Sequence, residues 1–486
     1  MHLKAFGCRE MIGFFLVLRH VVCCFAHKEA FIYPSIVEER TTAGKLVLRL
    51  NDDITLNLER SSVLAKNLRF VTTYRSGHHL SMIDTTSIQE NLYHDPQWQS
   101  SLKVLRKDGT VQVEGIIDSK RRIKPLLQSR RSSHDQVLHS LYEVEEIRPG
   151  PTHERSLQSA ISDLSNKLLP TARTAGPVDS FVVELHVVSD EYHQKHFVLK
   201  KSLIEYLSIM VTAVNVRLQD MVGPRISFKL VGVTRSYDDV FASQIVGVLD
   251  AWKTLAGLVN YIRDGHISGN FDVMYLITGR EMASIRSTGN VDKDVSGLAY
   301  VGKVCTIYGV AEGEDIAKSY AGVHTMAHEL AHSLGATHDP QDSSNCSWSR
   351  GFLMSYEDKG ANKYRLSDCS KTKIRDVVKS LKINCITETA SITFSTNTDG
   401  VMPGQRITPD VYCELKMRKI LRSKRIYTSA YSFMPSSLAK TCKMKCCYNV
   451  GSETWCQIND ILEGMNCTDG NTCQRGICGS NNQAEK

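Results

Sequence analysis

The sequence predicts an α/β domain, a sheet covered by helices, preceded by a β-rich region and followed by a small disulfide-rich domain. Three observations carry that expectation. From Phe181 onward, apolar runs of strand length alternate with blocks of helical spacing, the texture of a sheet clothed by helices. Between 27 and 175 the chain alternates apolar and polar residues in short stretches such as Lys45 to Leu50 and Val111 to Ile116, which reads as half-buried strands. The cysteines are uneven: Cys8, Cys23 and Cys24 near the start, then none before Cys305, then twelve through Cys478.

Length and composition set the outer bounds. With 486 residues, the chain is long enough for about three structural units. It is 42% hydrophobic and 23% charged, which fits folded domains and excludes a disordered chain or a multi-span membrane protein. A net charge of +7 over this length is too dilute for a nucleic-acid partner.

Lys4 and Arg9 precede the apolar run Met11 to Leu18, and Cys24-Phe25-Ala26 offers a cleavage site, so residues 1–26 are expected to be a signal peptide. That run is too short to span a bilayer, which needs about 20 apolar residues, and no later transmembrane segment is expected. Removing it leaves twelve cysteines, an even number that suits an oxidised, secreted protein. The sequons at Asn345 and Asn466 add expected glycosylation sites.

The β-rich region, 27–175, is expected to be a pro-region that closes in an exposed linker carrying Arg121-Arg122, Arg130-Arg131 and Arg148 to Pro151, open to processing proteases. The α/β unit, 176–389, then reads as a strand at Phe181 to Val188, a helix at Phe197 to Leu218, a strand at Ile226 to Val233, a helix at Val246 to Ile262 and a strand at Phe271 to Ile277. One more strand is expected at Gly297 to Val304, and one more helix at Ile316 to Leu334, ended by Gly335, because glycine takes the left-handed C′ conformation at little cost. The tail, 390–486, holds eight of the twelve later cysteines and is expected to depend on disulfides.

The residues that carry chemistry are His328-Glu329-Leu330-Ala331-His332 through His338-Asp339. Helical residues four apart lie about 40° apart in azimuth, so His328 and His332 can share one cation. Gly335 lets the chain turn back so that His338 supplies a third nitrogen. Three neutral imidazoles fit zinc with the fourth position left to water, the open arrangement of a catalytic site. Glu329 sits beside that position, where it can act as general base and acid. Met354 lies downstream, where a methionine turn would underlie the metal; alone, it would read as core filling. His324 also has a histidine four residues on but lacks a following glutamate, so it is not counted as a ligand.

With its third histidine and following aspartate, this motif resembles the reprolysin (adamalysin) branch of the metzincin zinc endopeptidases. The resemblance extends to Val183 through Val188, Phe271 through Gly279, Leu366 through Ser370 and Ile383 through Cys385. It implies a metzincin fold, with a mixed twisted sheet, an active-site helix and a Met-turn, and a substrate-binding edge strand including Gly297, Leu298, Ala299 and Tyr300. It also implies disulfides Cys305–Cys385 and Cys346–Cys369, and a structural calcium ion at Glu184, Asp272, the backbone carbonyl of Cys385 and Glu388. A solvated or salt-bridged carboxylate is the alternative for Glu184. The tail resembles the disintegrin-like, cysteine-rich module of thrombospondin-repeat ADAM proteases, and the whole arrangement is similar to short secreted metalloproteases of tick saliva.

The function expected is therefore a secreted, monomeric zinc endopeptidase acting on extracellular proteins such as fibrin, fibrinogen or matrix proteins. The alternative is a non-catalytic binder of integrins or matrix acting through its tail. The run from Lys416 to Arg425, with Arg422-Ser-Lys-Arg425, reads as a processing site, a glycosaminoglycan patch or a solvated basic face. The resemblance implies a zymogen, which many relatives keep silent with a pro-region cysteine that ligates zinc. No cysteine lies between Cys24 and Cys305, so latency here would need another device.

Overall fold

The protein is described from a computed structural model covering residues 29–40, 45–107, 109–127, 136–148, 178–245, 247–267, 269–285, 290–342, 344–357, 359–386, 407–423, 426, 428–462, 464–468, 470–474 and 476–480. The signal peptide, Arg130-Arg131, Pro149 to Pro151, the boundaries at 175/176 and 389/390, Glu388 and Arg425 lie outside the described residues.

Nine antiparallel strands form the N-terminal sheet, in the spatial order 29–32, 139–143, 121–125, 110–116, 100–107, 92–95, 55–60, 45–49 and 35–40. Along Lys45–Arg49 the burial alternates residue by residue, with Leu46 and Leu48 buried, because successive side chains of a strand face opposite sides. The Arg121-Arg122 pair departs from the exposed linker expected of it. It starts a strand paired on both sides, and the Arg122 side chain is fully buried. Burial of that charge is tolerated because Nε and Nη2 donate to the Ser319 and Tyr320 carbonyls at 3.1 and 3.3 Å.

The second sheet has seven strands: β1 (Leu64–Tyr74), β2 (Gly77–Asp84), β3 (Ser180–Ser189), β4 (Arg225–Ser236), β5 (Val273–Thr278), β6 (Gly297–Ala299) and β7 (Val310–Glu314). Their spatial order is β6-β7-β5-β3-β4-β1-β2. The inner pairings are parallel, and the pairs at both edges, β6 with β7 and β1 with β2, are antiparallel. Thus β1 and β2, from the N-terminal region, extend the sheet of the α/β unit. Val63, Leu64, Leu68, Phe70 and Ile116 share one apolar core with Phe181, Leu185, Met210 and Leu330.

Four helices matter for the site: α1 (Lys200–Arg217), α2 (Ala251–Arg263), α3 (Val323–Ser333) and α4 (Asp368–Ser380). Local chemistry adjusts three expected boundaries. Val248–Asp250 is a short strand, and α2 begins only after Asp250, whose carboxylate accepts from the Lys253 N–H as an N-cap. Residues 316–322 are not helical: Lys318 and Tyr320 adopt φ of 68° and 58°, a region unfavourable to side-chain-bearing residues, and α3 starts after Gly322. β6 ends at Ala299 rather than running to Val304, and Tyr300 instead packs edge-on against the rings of Trp252 and Tyr308.

The tail carries a helix at Pro409–Ser423 and two three-stranded sheets. Bridges join Cys413 to Cys446, Cys442 to Cys473, Cys447 to Cys456 and Cys467 to Cys478. Its small core includes Tyr412, Met417, Met444, Ile461 and several of these half-cystines, so cross-links replace the apolar bulk that so short a unit lacks. Within the basic run, Lys416 turns toward the N-terminal sheet and donates to Thr55 Oγ1 at 3.0 Å.

Candidate active site

All eleven residues of α3 are buried, so its histidines and glutamate face packed protein or the site, not open solvent. The helix is fixed at both ends. Ahead of it, the Asp315 carboxylate accepts from the Gly322 N–H at 2.7 Å. At its end, Gly335 (φ 113°) donates to the His332 carbonyl at 2.8 Å and Ala336 to the Ala331 carbonyl at 3.0 Å, closing the last turn. A Cβ at Gly335 would meet Val377 of α4 at 2.5 Å. This reversal returns the chain so that His338 faces the two helical histidines.

The three imidazoles converge. Nε2 of His328, His332 and His338 lie 3.1 Å apart in each pairing. Nδ1 of His328 donates to the Leu353 carbonyl at 2.9 Å and Nδ1 of His332 to the Ala336 carbonyl at 2.6 Å. A carbonyl can only accept, so in the neutral rings these partners leave Nε2 bare. Bare nitrogens repel one another at this separation, and a cation between them removes the repulsion. Tetrahedral zinc with Zn–N near 2.0–2.1 Å places its nitrogens about 3.3 Å apart, so the donor set fits zinc. His324 is buried too, with its ring centroid 6.5 Å from that of His328, and it is not among the three converging rings. Burial, with Arg148 and Arg217 nearby, holds its imidazole well below the usual range.

Met354 is fully buried. Its carbonyl accepts from the Asp339 N–H at 3.0 Å, while the carbonyl of its neighbour Leu353 accepts from His328 Nδ1. Asp339 Oδ1 accepts from the Ser367 hydroxyl at 2.5 Å, and Ser367 in turn caps α4. A disulfide joins Cys346 to Cys369, the second residue of α4, and another joins Cys305 to Cys385. Both sequon asparagines, Asn345 and Asn466, are exposed.

Glu329 is buried against β6. A Cβ built on Gly297 would lie 2.8 Å from Glu329 Cγ, 2.9 Å from its Oε1 and 2.6 Å from Thr325 Cγ2. Across the strand pair, Gly313 stands opposite Gly297, where a Cβ would meet Tyr275 Oη at 2.2 Å and Thr325 Cγ2 at 2.9 Å. The paired glycines therefore form a seat that lets α3 approach the sheet closely enough to put a carboxylate beside its edge. Leu298 and Ala299 are fully buried in the flanking cores, and β6 is the terminal strand of the sheet.

Two residues of the site carried no assigned role in the sequence reading. Tyr356 places its hydroxyl 2.8 Å from His338 Nδ1. It lies two residues beyond Met354, and that spacing alone could have marked it. Gly313 has no such signal, since β7 reads Val-Ala-Glu-Gly-Glu.

At the other end of the sheet, Glu184 and Asp272 are buried neighbours: Asp272 Oδ2 accepts from the Glu184 N–H at 2.8 Å. Burial raises the Asp272 carboxyl to about 7, with the Glu184 charge adding to the rise against that hydrogen bond. The Cys305–Cys385 bridge lies alongside; the calcium ligand expected of Cys385 is its backbone carbonyl, not its sulfur.

A three-imidazole centre, with a buried glutamate against the terminal strand of a mixed sheet, defines the class of metal-dependent peptidases. Residues 182–390 match the Reprolysin (M12B) family of zinc metalloproteases. A venom metalloproteinase, antarease-like, of Tityus fasciolatus is 30% identical over 237 residues, covering 44% of this chain and 99% of that protein. Another antarease-like venom metalloproteinase, of Tityus trivittatus, is 28% identical over 341 residues, covering 65% and 84%. Among solved structures, metalloproteinase-II from Bacteroides fragilis aligns over 74% of this chain and 95% of its own, at 13% identity and a TM-score of 0.32. The chain belongs to the reprolysin family and is a zinc-dependent metalloendopeptidase.

Proposed function

We propose that the protein is a secreted endopeptidase that hydrolyses extracellular proteins, fibrin, fibrinogen or matrix proteins among them, at a zinc ion held by His328, His332 and His338. The observation that carries this reading is the convergence of three Nε2 atoms at 3.1 Å beside a carboxylate pressed against the sheet edge. Bound zinc supplies Lewis acidity, which makes water acidic enough to act as a nucleophile near neutral pH. The substrate backbone pairs with the outer side of β6, the terminal strand of the sheet, in the manner of an added strand. Glu329, next to Gly297 of that strand, accepts the proton of the attacking water and delivers it to the leaving amine, serving both halves of the reaction. The carbonyls of Leu353 and Ala336 hold two imidazoles in the tautomer that presents Nε2, the orienting role such partners play around metals.

Secretion is supported by the pairing of all twelve cysteines from Cys305 onward, which suits an oxidising compartment. No described helix is long and apolar enough to cross a membrane. A structural calcium ion is assigned to the buried carboxylates Glu184 and Asp272, whose mutual repulsion a divalent cation would relieve. The tail is assigned a directing role toward matrix or integrin-like partners, supported by exposed Phe433 and Ile458, which share one face of its sheet through Lys445.

The test is cleavage of a panel of plasma and matrix proteins by the purified chain, before and after chelation and zinc restoration. Cleavage abolished by chelation and restored by zinc supports the reading. A panel untouched by folded, zinc-loaded protein moves the function to the tail.

A further inference from the structure

Beyond its first turn, helix α1 is covered on nearly every side. Thirteen of its residues are buried, among them Leu203, Tyr206, Ile209, Val211 and Val216, and a helix buried on several faces is one that stays covered. The sheet of the α/β unit covers one flank, and the N-terminal region covers another. There Ser101 donates to the Ile209 carbonyl at 2.7 Å and Lys103 pairs with Glu205 at 2.9 Å. Gly115 approaches so closely that a Cβ would lie 3.3 Å from Ile209 Cγ2.

The same N-terminal region grips the loop ahead of α3. Besides the two bonds from Arg122, the Ile147 N–H donates to the Ala321 carbonyl, and its own carbonyl accepts from Thr325 Oγ1, both at 2.9 Å. Between these contacts lies Glu146, whose side chain is 1% exposed and meets Arg217, at the end of α1, at 2.6 Å. Arg122 and Arg148 stand 3.7 and 3.6 Å from the same carboxylate. If the segment left, Arg217 would remain as a buried cation without this carboxylate, α1 would be stripped on one flank, and β4 would lose its pairing with β1.

We propose that residues 29–148 are a lasting second chain of the enzyme, which stays bound to the catalytic region after the connection at 149–177 is cut. The partner that fits the exposed flank of α1, the edge of β4 and Arg217 is this chain's own N-terminal region. Sheet continuity, a shared core and a buried carboxylate hold it, and none of these depends on the covalent connection. Arg155, Lys167 and Arg173 lie in that connection, so basic-residue proteases have sites there.

The test uses the full chain with a site-specific protease sequence placed at 160–166, cut after purification and run on gel filtration in physiological and then high salt. Both fragments in one peak under each condition is the expected result. Fragments in separate peaks, or loss of the catalytic fragment by precipitation while 29–148 stays soluble, would overturn the proposal. A cut Glu146→Gln sample should release its N-terminal fragment roughly a hundredfold faster than the parent, because one partner of a buried ion pair is removed. The exposed neighbour variant Glu145→Gln should behave as the parent. Equal release rates for Glu146→Gln and parent would contradict the role given to that carboxylate.

Discussion

The hydroxyl of Tyr356 stands 2.8 Å from Nδ1 of His338, so the histidine that arrives from the turn is oriented by a side chain. The two helical histidines rely on backbone carbonyls instead. A backbone carbonyl survives any substitution, whereas this hydroxyl does not. Tyr356→Phe should weaken zinc binding about tenfold or more while leaving the fold intact, as read by competition with a chelator of known affinity. Unchanged affinity would mean that the turn alone positions His338.

Gly297 is a second point of leverage. Alanine there needs space already filled by Thr325 and Glu329, with contacts of 2.6 to 2.9 Å, closer than real Cβ atoms come to their neighbours. Gly297→Ala should lower kcat/KM by on the order of tenfold or more, because small displacements of a catalytic group are costly. Bound zinc should remain stoichiometric by metal analysis, since the nearest atoms to this position belong to Thr325 and Glu329. A variant with full activity would show that Glu329 need not stand against β6.

Much of this site was legible in the sequence, because a helix with ligands four residues apart, a glycine stop and a returning histidine are all local features. The approach to the helix was not. Residues 316–322 carry an apolar pattern that continues that of α3, yet the Asp315 carboxylate and two positive φ values hold them as a loop. β7 hides a buried glutamate, Glu312, and a glycine in five residues, too polar for a strand by pattern alone. Arg121-Arg122 looked like an exposed basic pair because charge normally seeks water; its carbonyl partners come from a loop some two hundred residues away. The addition of β1 and β2 to the catalytic sheet is likewise a long-range pairing that no local period reports.

Acid should weaken the N-terminal sheet. Burial lowers the His139 imidazole from 6.5 to about 4, and its ring accepts from the Val113 N–H at 2.9 Å while donating to the Val137 carbonyl at 2.9 Å. Below pH 6.5 the unfolded chain takes up a proton that the folded ring refuses until about pH 4. The stabilisation is therefore complete above 6.5 and lost as pH falls toward 4, roughly 3 kcal/mol in all. His186, lowered to about 3 by burial, adds to the same trend. Urea titrations at neutral and acid pH should show this loss, and His139→Gln should flatten it; a slope unaffected by the substitution would contradict the assignment.

Calcium offers another direct check. Burial raises Asp272 to about 7 with Glu184 beside it, so a bound cation should hold both carboxylates ionised and raise the melting temperature. Added calcium should increase Tm in the parent but not in Asp272→Asn. An equal response in both would place calcium elsewhere.

The central claim is that Glu329, and not the metal centre alone, moves the proton during peptide hydrolysis. The most direct measurement is turnover of a peptide substrate by folded Glu329→Gln protein whose zinc content has been determined. The account predicts stoichiometric zinc with turnover reduced by on the order of 10²–10⁴-fold, the usual worth of a general base. Turnover equal to that of the parent at full zinc occupancy would contradict it.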